Sequence, residues 1–407
     1  MGEEARTPVI LGGGRTPIGR FLGGLSSLTA PELGGVVIRA ALERSDVDPA
    51  SVAEVIMGNV LVAGEGQAPA RQAAIFAGVP ATVPAVTINK VCGSGLKAVM
   101  LAAQAVRAGD AQVLVAGGME SMSNVPYYVR GLRSGVKFGD QTIEDGLVLD
   151  GLWCAFGQCH MGGHAEYTAA KAEISRADAD EFSLRSHRLA VAAMDGCKFQ
   201  QEIVPVSIEA RKGAPRGTTV FDADEGPRRD TSLEALGKLR PAFRADAPDD
   251  IDELVVTAGN APRLNDGAAA VVVSSLEFAL AHDLPVRAEI SAYTAAGADP
   301  QDLFFAPIAA VKSLMEKEQK VIGDYGLVEL NEAFAVQALA DMRGLDMDPE
   351  RVNVHGGAVA LGHPIGASGA RILVTLLGAM EDRDVETGLA TLCLGGGNAV
   401  ALSVRRI

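Results

Sequence analysis

Asn89-Lys90-Val91-Cys92-Gly93-Ser94-Gly95-Leu96 stands between two apolar runs. Ahead of it, Ala85-Val86-Thr87-Ile88 reads as a short buried strand, and Leu96 to Val106, broken only by Lys97 and Gln104, reads as a buried helix. Cys92 therefore falls at a strand-to-helix turn. A thiol at a helix N-terminus meets the positive end of the macrodipole and unpaired N–H groups, which predicts a lowered pKa and available thiolate. The surrounding glycines leave room for a ligand to approach the sulfur. Taken alone, the same turn also suits a buried structural cysteine, so the rest of the chain decides.

The same order of elements occurs a second time. Gly366-Ala367-Ser368-Gly369 leads the apolar helix Ala370 to Met380 into Ala390-Thr391-Leu392-Cys393-Leu394 and Gly395-Gly396-Gly397. In the first half, Cys92-Gly93-Ser94-Gly95 leads its helix into Val113-Leu114-Val115-Ala116 and Gly117-Gly118. An internal duplication with a site between the halves is the economical reading. Before Cys92, Val9-Ile10-Leu11, a helix from Ala30 to Arg44, Glu54-Val55-Ile56-Met57 and a helix around Ala70 to Ala77 alternate, an α/β layout with a mostly buried sheet. Residues 121–250 hold polar loops around a helix near Asp178 to Phe199 and read as an insertion. The expected division is an N-terminal half over 1–120 whose last strands resume at about 251–275, a loop domain over 121–250, and a C-terminal half over 276–407.

Composition bounds the function. With 407 residues, 48% apolar content, 47 glycines and only 4% aromatics, the chain has a large core suited to tight packing of helices on sheets. A net charge of −15 argues against nucleic acid or an anionic membrane as partner, because either attracts a basic surface. The five cysteines show no C-x-x-C pair, which predicts reduced thiols and no metal. No apolar run has bilayer-spanning length, and the first residues lack a cationic segment followed by an apolar one, so a cytoplasmic protein is expected, or one from an organelle whose targeting segment is absent from this sequence.

Reactive or polar side chains stand out in otherwise apolar or glycine-rich turns. They are Cys92, Asn331, His363 and Cys393. Asn331 opens Asn331-Glu332-Ala333-Phe334-Ala335, where a helix N-cap is an equally good reading. His363 lies on an irregular loop, Gly356-Gly357-Ala358-Val359-Ala360-Leu361-Gly362-His363-Pro364-Ile365-Gly366. Two cysteines and a histidine at element ends in both halves supply a nucleophile, its base and a second acid/base, the needs of an acyl-transfer site.

Those four segments resemble the signatures of thiolases, as do Arg15-Thr16-Pro17-Ile18-Gly19 and Gly117-Gly118-Met119-Glu120-Ser121-Met122-Ser123. The resemblance covers essentially the whole chain. It implies a thiolase-like fold of duplicated βαβαβαββ halves in a five-layer αβαβα arrangement with an inserted loop domain. It also implies an acetyl-CoA C-acetyltransferase of the acetoacetyl-CoA type, with acetyl-CoA, acetoacetyl-CoA and CoA as ligands and no cofactor beyond these substrates. By the resemblance, Cys92 is acylated, His363 takes its proton, and Cys393 removes the α-proton of the second acetyl-CoA. His363 with an Asn331-held water, and the N–H groups of Cys92 and Gly395, form the oxyanion sites. CoA and acyl contacts are expected from His160, Met161, Arg228, Phe243, Ala258, Leu264, Leu303, Ala333 and Phe334. Arg211, Lys212, Arg216 and Arg229 supply further positive charge toward an anionic ligand. Leu132 to Asp140 resembles the loop that joins two dimers, which implies a homotetramer, a dimer of dimers. A 3-ketoacyl-CoA thiolase of fatty-acid metabolism is the alternative within the family, and a non-catalytic thiolase-fold binding protein lies outside it.

Several stretches depart from the pattern. Gln301-Asp302-Leu303-Phe304-Phe305-Ala306-Pro307 places bulky rings at the acyl pocket, and they shrink it if they point inward. Pro262-Arg263 stands where Ser-Gly is usual, removing a hydroxyl expected to bond pantetheine. Ala399 replaces a glycine, His355 an asparagine, and Ala245 to Glu253 is longer and more acidic than usual. Gly226 occupies the place of a potassium-binding tyrosine, so no ion is expected.

Overall fold

The structure is a computed structural model that describes residues 3–209 and 218–407; Arg211, Lys212 and Arg216 lie outside the described residues. The main sheet is built from β1 (Pro8–Arg15), β2 (Glu54–Gly58), β3 (Ala85–Ile88), β4 (Val113–Ser121), β5 (Asn265–Ser275), β6 (Ala288–Gly297), β7 (Leu327–Leu330), β8 (Thr387–Leu394) and β9 (Asn398–Arg406). Helices α1 (Ala30–Arg44), α2 (Pro69–Phe76), α3 (Ser94–Ala108), α4 (Met161–Lys171), α5 (Arg176–Asp195), α6 (Ala306–Glu318), α7 (Ala335–Leu345) and α8 (Ile365–Asp382) pack on and around it.

The strand order β7-β8-β9-β6-β1-β5-β4-β2-β3 displays the duplication directly. Within the first half, β1 runs antiparallel to β5, β5 antiparallel to β4, and β4 parallel to β2. In the second, β6 runs antiparallel to β9, β9 antiparallel to β8, and β8 parallel to β7. A short ladder, Val9 to Glu289 and Ile10 to Ala288, joins the halves. Helices α1 and α2 cover the outer face of the first half and α6 that of the second, while α3 and α8 lie side by side between them.

The repeated Ser-Gly now has a packing reason. A Cβ on Gly95 would stand 2.7 Å from Ala370 N, and one on Gly369 would stand 2.4 Å from Leu96 N. The first turns of α3 and α8 therefore approach glycine to glycine, and the duplicated position admits no side chain. Behind that contact, Leu96, Val99 and Met100 of α3 and Ile372, Leu373 and Leu376 of α8 are fully buried, each contributing ~1.5–3 kcal/mol of transfer free energy.

The chain leaves the first half after β4 and returns at β5, and the intervening residues pack over the site. Buried Arg15 at the end of β1 ties this excursion down: Nε donates to Glu202 Oε1 at 2.6 Å, and Nη1 and Nη2 donate to Asp224 at 2.7 and 2.9 Å. Arg15→Ala strands two buried carboxylates, so a loss of about 3–5 kcal/mol in urea denaturation is expected. A loss below about 1 kcal/mol would show the cluster to be dispensable.

Candidate active site

Cys92 lies between β3 and α3, with Gly93 as the N-cap of the helix. The turn is strained and held. Val91 has φ +47°, a region β-branched residues avoid. Its N–H donates to Asn89 Oδ1 at 2.9 Å, and Ser94 Oγ donates to Val91 O at 2.6 Å while accepting from Lys90 N at 2.8 Å. The second half uses its equivalent serine in the same way. Ser368 Oγ donates to Pro364 O at 2.9 Å and contacts His363 Nδ1 at 2.6 Å. With the hydroxyl proton directed at Pro364 O, Nδ1 donates to Ser368 Oγ, the tautomer that leaves a lone pair on Nε2. Nε2 is buried and has no protein partner, and His363 lines the cavity that Cys92 also lines.

That cavity, about 690 Å³, brings together Cys92, His363, Cys393 and Gly395 with His160, Met161, Phe243, Ala258, Leu264, Leu303, Ala333 and Phe334. Cys393, the penultimate residue of β8, lines it, and the turn that follows has φ +79° at Gly396 and +85° at Gly397. A Cβ on Gly397 would stand 2.5 Å from Ala298 O, so the turn requires glycine there. It places Gly395 in the cavity lining beside Cys92, and the N–H groups of Gly395 and of Cys92 itself favour negative charge on the Cys92 sulfur. Asn331 follows β7 and, unlike the other three expected catalytic side chains, is not among the residues lining the cavity. It is not an N-cap, because α7 begins at Ala335 with Phe334 as its cap. Its backbone N–H donates to Thr391 O at 3.0 Å, and both polar atoms of its fully buried side chain lack a protein partner.

Electrostatics correct one expectation. Burial pushes the Cys92 thiol up to about 12, outweighing the smaller lowering by the Gly395 and Cys92 N–H groups, so the shift runs opposite to the one expected from its helix N-terminus. Burial, with the neighbouring Arg371, pushes His363 down to about 3. Cys393 is likewise raised, by burial, then by Cys92 and Asp341. All three shifts favour the neutral forms of Cys92, His363 and Cys393. Since the folded value of His363 lies below the ordinary 6.5, acidification from 6.5 downward costs folding stability, and kcat/KM should show no acid limb from this residue near 6.5. Ser368→Ala releases the tautomer and should lower kcat by on the order of tenfold or more with KM little changed; an unaffected kcat would remove Ser368 from the site.

An aromatic wall closes one side. His160 stacks on Phe243 at 4.8 Å, Phe243 meets Phe334 edge-on at 6.2 Å, and Phe334 meets Phe304 at 5.4 Å. His160 Nδ1 accepts from Gly162 N at 3.0 Å, capping α4, and Asp246, from the acidic stretch, accepts from His160 N at 2.9 Å. Of the two phenylalanines expected to shrink the pocket, Phe304 reaches the cavity, whereas Phe305 lies under Lys171 at 5.3 Å.

Some expected contacts are elsewhere. Arg228 does not line the cavity, although its N–H donates to His187 Nδ1 at 3.1 Å. Arg229 is exposed and taken by Asp195 at 2.6 and 2.8 Å. Ala399 is buried opposite Cys393 in β9, where its methyl is accommodated. His355 packs edge-on to Phe199 at 5.9 Å, away from the cavity. At Gly226 a Cβ would stand 2.3 Å from Ala360 O. Asn265 was not singled out from sequence, yet Oδ1 accepts from His363 N at 2.9 Å while Nδ2 donates to Gly19 O at 2.9 Å, fixing the histidine loop. A Cβ at Gly362, φ +118°, would collide with it. The one available signal was its place two residues after Pro262-Arg263.

Comparison with known proteins agrees with this geometry. Residues 8–277 match the thiolase N-terminal domain and residues 284–406 the thiolase C-terminal domain. Acetyl-CoA acetyltransferases of Pseudomonas aeruginosa and Cupriavidus necator are each 52% identical over 398 residues, covering 98% of this chain and 99% of theirs. The crystal structure of the Bacillus anthracis acetyl-CoA acetyltransferase superposes with a TM-score of 0.95 at 40% identity, with all of both chains covered. On the two domain matches, the full-length relatives and the duplicated fold, the chain belongs to the thiolase family.

Proposed function

We propose that the chain is an acetyl-CoA C-acetyltransferase that condenses two acetyl-CoA into acetoacetyl-CoA and CoA, and catalyses the reverse thiolysis, through an acyl-Cys92 intermediate. The observation that carries this reading is one cavity lined by Cys92, Cys393 and a histidine whose buried Nε2 has no protein partner. Nε2 of His363 takes the Cys92 proton as Sγ bonds to the thioester carbon, and Cys393 protonates the departing CoA sulfur. The Cys393 thiolate left behind removes an α-proton from the second acetyl-CoA. Its carbanion attacks acetyl-Cys92, and the freed sulfur recovers its proton from His363. Negative charge on the enolate oxygen faces the protonated Nε2 and a water for which Asn331 has both polar atoms spare. That on the tetrahedral intermediate faces the N–H groups of Cys92 and Gly395.

The site needs no cofactor beyond its CoA thioesters. A tetramer formed as a dimer of dimers is proposed from the 132–140 loop, where Phe138 is 99% exposed; sedimentation at the mass of one or two chains would reject it. Among the described residues no helix is long and apolar enough to cross a membrane, and a cytoplasmic role in fatty-acid metabolism suits the reading.

The test is kcat/KM for CoA-dependent cleavage of acetoacetyl-, 2-methylacetoacetyl-, 3-ketohexanoyl- and 3-ketodecanoyl-CoA. With Phe304 in the wall, activity should fall by about tenfold or more from acetoacetyl- to 3-ketohexanoyl-CoA. A rise with chain length would make the chain a 3-ketoacyl-CoA thiolase, and inactivity on all four would make it a binding protein.

A further inference from the structure

The protein carries a net charge of −15, yet one rim of its cavity is cationic. Arg20 and Arg263 both line it. The backbone brings them together: Arg20 pairs opposite Asn265, and Phe21 N donates to Leu264 O at 2.9 Å. Arg228 approaches from the loop anchored on His187, and Arg263 feels burial first, then the charges of Arg228 and Arg20. None of the three guanidiniums has a carboxylate within ion-pairing distance among the described residues. Glu225, beside Arg20, is occupied by the N–H groups of Arg20 and Gly24. Like charges gathered without counter-ions repel, and the arrangement costs stability unless a ligand supplies the negative charge. A guanidinium fork matches a phosphate.

Arg263 also stands where the resemblance leads one to expect glycine, next to Pro262 in place of serine. Where the resemblance implies a hydroxyl, this chain presents a cation in the cavity lining. We propose that Arg263, together with Arg20, holds a phosphate of the coenzyme A nucleotide and makes substrate affinity in this chain depend on that phosphorylated end. The inference rests on the acyl-CoA reading above. It makes Arg263 a specificity-determining residue, remote from the reacting atoms.

The test compares wild type, Arg263→Gly and Arg263→Lys in CoA binding by titration calorimetry, and in thiolysis of acetoacetyl-CoA, its 3′-dephospho analogue and acetoacetyl-pantetheine. Arg263→Gly should weaken CoA and raise KM for acetoacetyl-CoA by about tenfold, leaving kcat within about twofold, with KM for the pantetheine thioester unchanged. Arg263→Lys should recover part of the loss. If the effect disappears with the 3′-dephospho analogue, the phosphate held is the 3′ one; if it persists, it belongs to the diphosphate. Unchanged CoA affinity in Arg263→Gly, or an equal loss with acetoacetyl-pantetheine, would overturn the assignment. A wild type that neither binds CoA nor cleaves any of the thioesters would instead overturn the acyl-CoA reading itself.

Discussion

Cys92→Ser should lower acetoacetyl-CoA thiolysis by ~10⁴-fold or more while leaving the fold and CoA affinity intact. The size of the effect follows from the electrostatics of the turn. Even the thiol is held at about 12 by burial, so attack relies on His363 accepting the proton as the carbon–sulfur bond forms. A serine hydroxyl starts several pKa units higher than a thiol and is a poorer nucleophile toward a thioester. Nothing in the resting site compensates, because burial holds His363 near 3, where Nε2 is a weak base. Cys92→Ser is also nearly isosteric, so the two N–H groups at the sulfur and the Val91 conformation need not change. Substantial residual turnover would mean that another group receives the acyl chain. Far-UV circular dichroism and CoA titration of the variant separate lost chemistry from lost structure.

Cys393→Ala should have a different signature. Cys393 lines the same cavity, close enough to Cys92 for the two sulfurs to influence each other, but the Gly395 and Cys92 N–H groups act on Cys92. Without it, Cys92 is still acetylated by acetyl-CoA, more slowly because the leaving CoA sulfur loses its proton donor. Carbon–carbon bond formation then fails, since no base remains to form the enolate. Condensation is expected to fall by ~10³-fold or more, with acetyl-enzyme accumulating in place of acetoacetyl-CoA. Condensation at the normal rate would invalidate the division of roles between the sulfurs.

The site was legible in the sequence to the extent that function demanded unusual residue types in unusual places. Cysteine and histidine in glycine turns, once in each half, stand out because packing alone does not call for them. The duplication was legible for the same reason: Gly95 and Gly369 repeat because two helix turns meet where no side chain fits. The strands at 288–297 and 398–406 carried no comparable mark. Ala-rich runs such as Ala295-Ala296-Gly297 suit helix and strand alike, and only their pairing with each other decides. The direction of the Cys92 shift was misread because a helix N-terminus is visible in sequence while the depth of burial that outweighs it is not. Asn265 and Ser368 escaped notice because they act through His363, at one remove from the chemistry. Phe304 and Phe305 are adjacent, and which of them faces the cavity is set by the 3₁₀ turn carrying them, Pro300–Phe305, a matter of about 120° per residue that sequence pattern does not resolve.

Acetyl mapping tests the central assignment most directly. Wild type, Cys92→Ser and Cys393→Ala are each mixed with acetyl-CoA, quenched in acid, and digested, and the modified peptide is located by mass spectrometry beside an assay for acetoacetyl-CoA. One acetyl group on Cys92 in wild type and in Cys393→Ala, none in Cys92→Ser, and acetoacetyl-CoA from wild type alone are predicted. Acetyl recovered on Cys393, or an active wild type in which Cys92 is never modified, would contradict a Cys92 nucleophile served by His363 and Cys393.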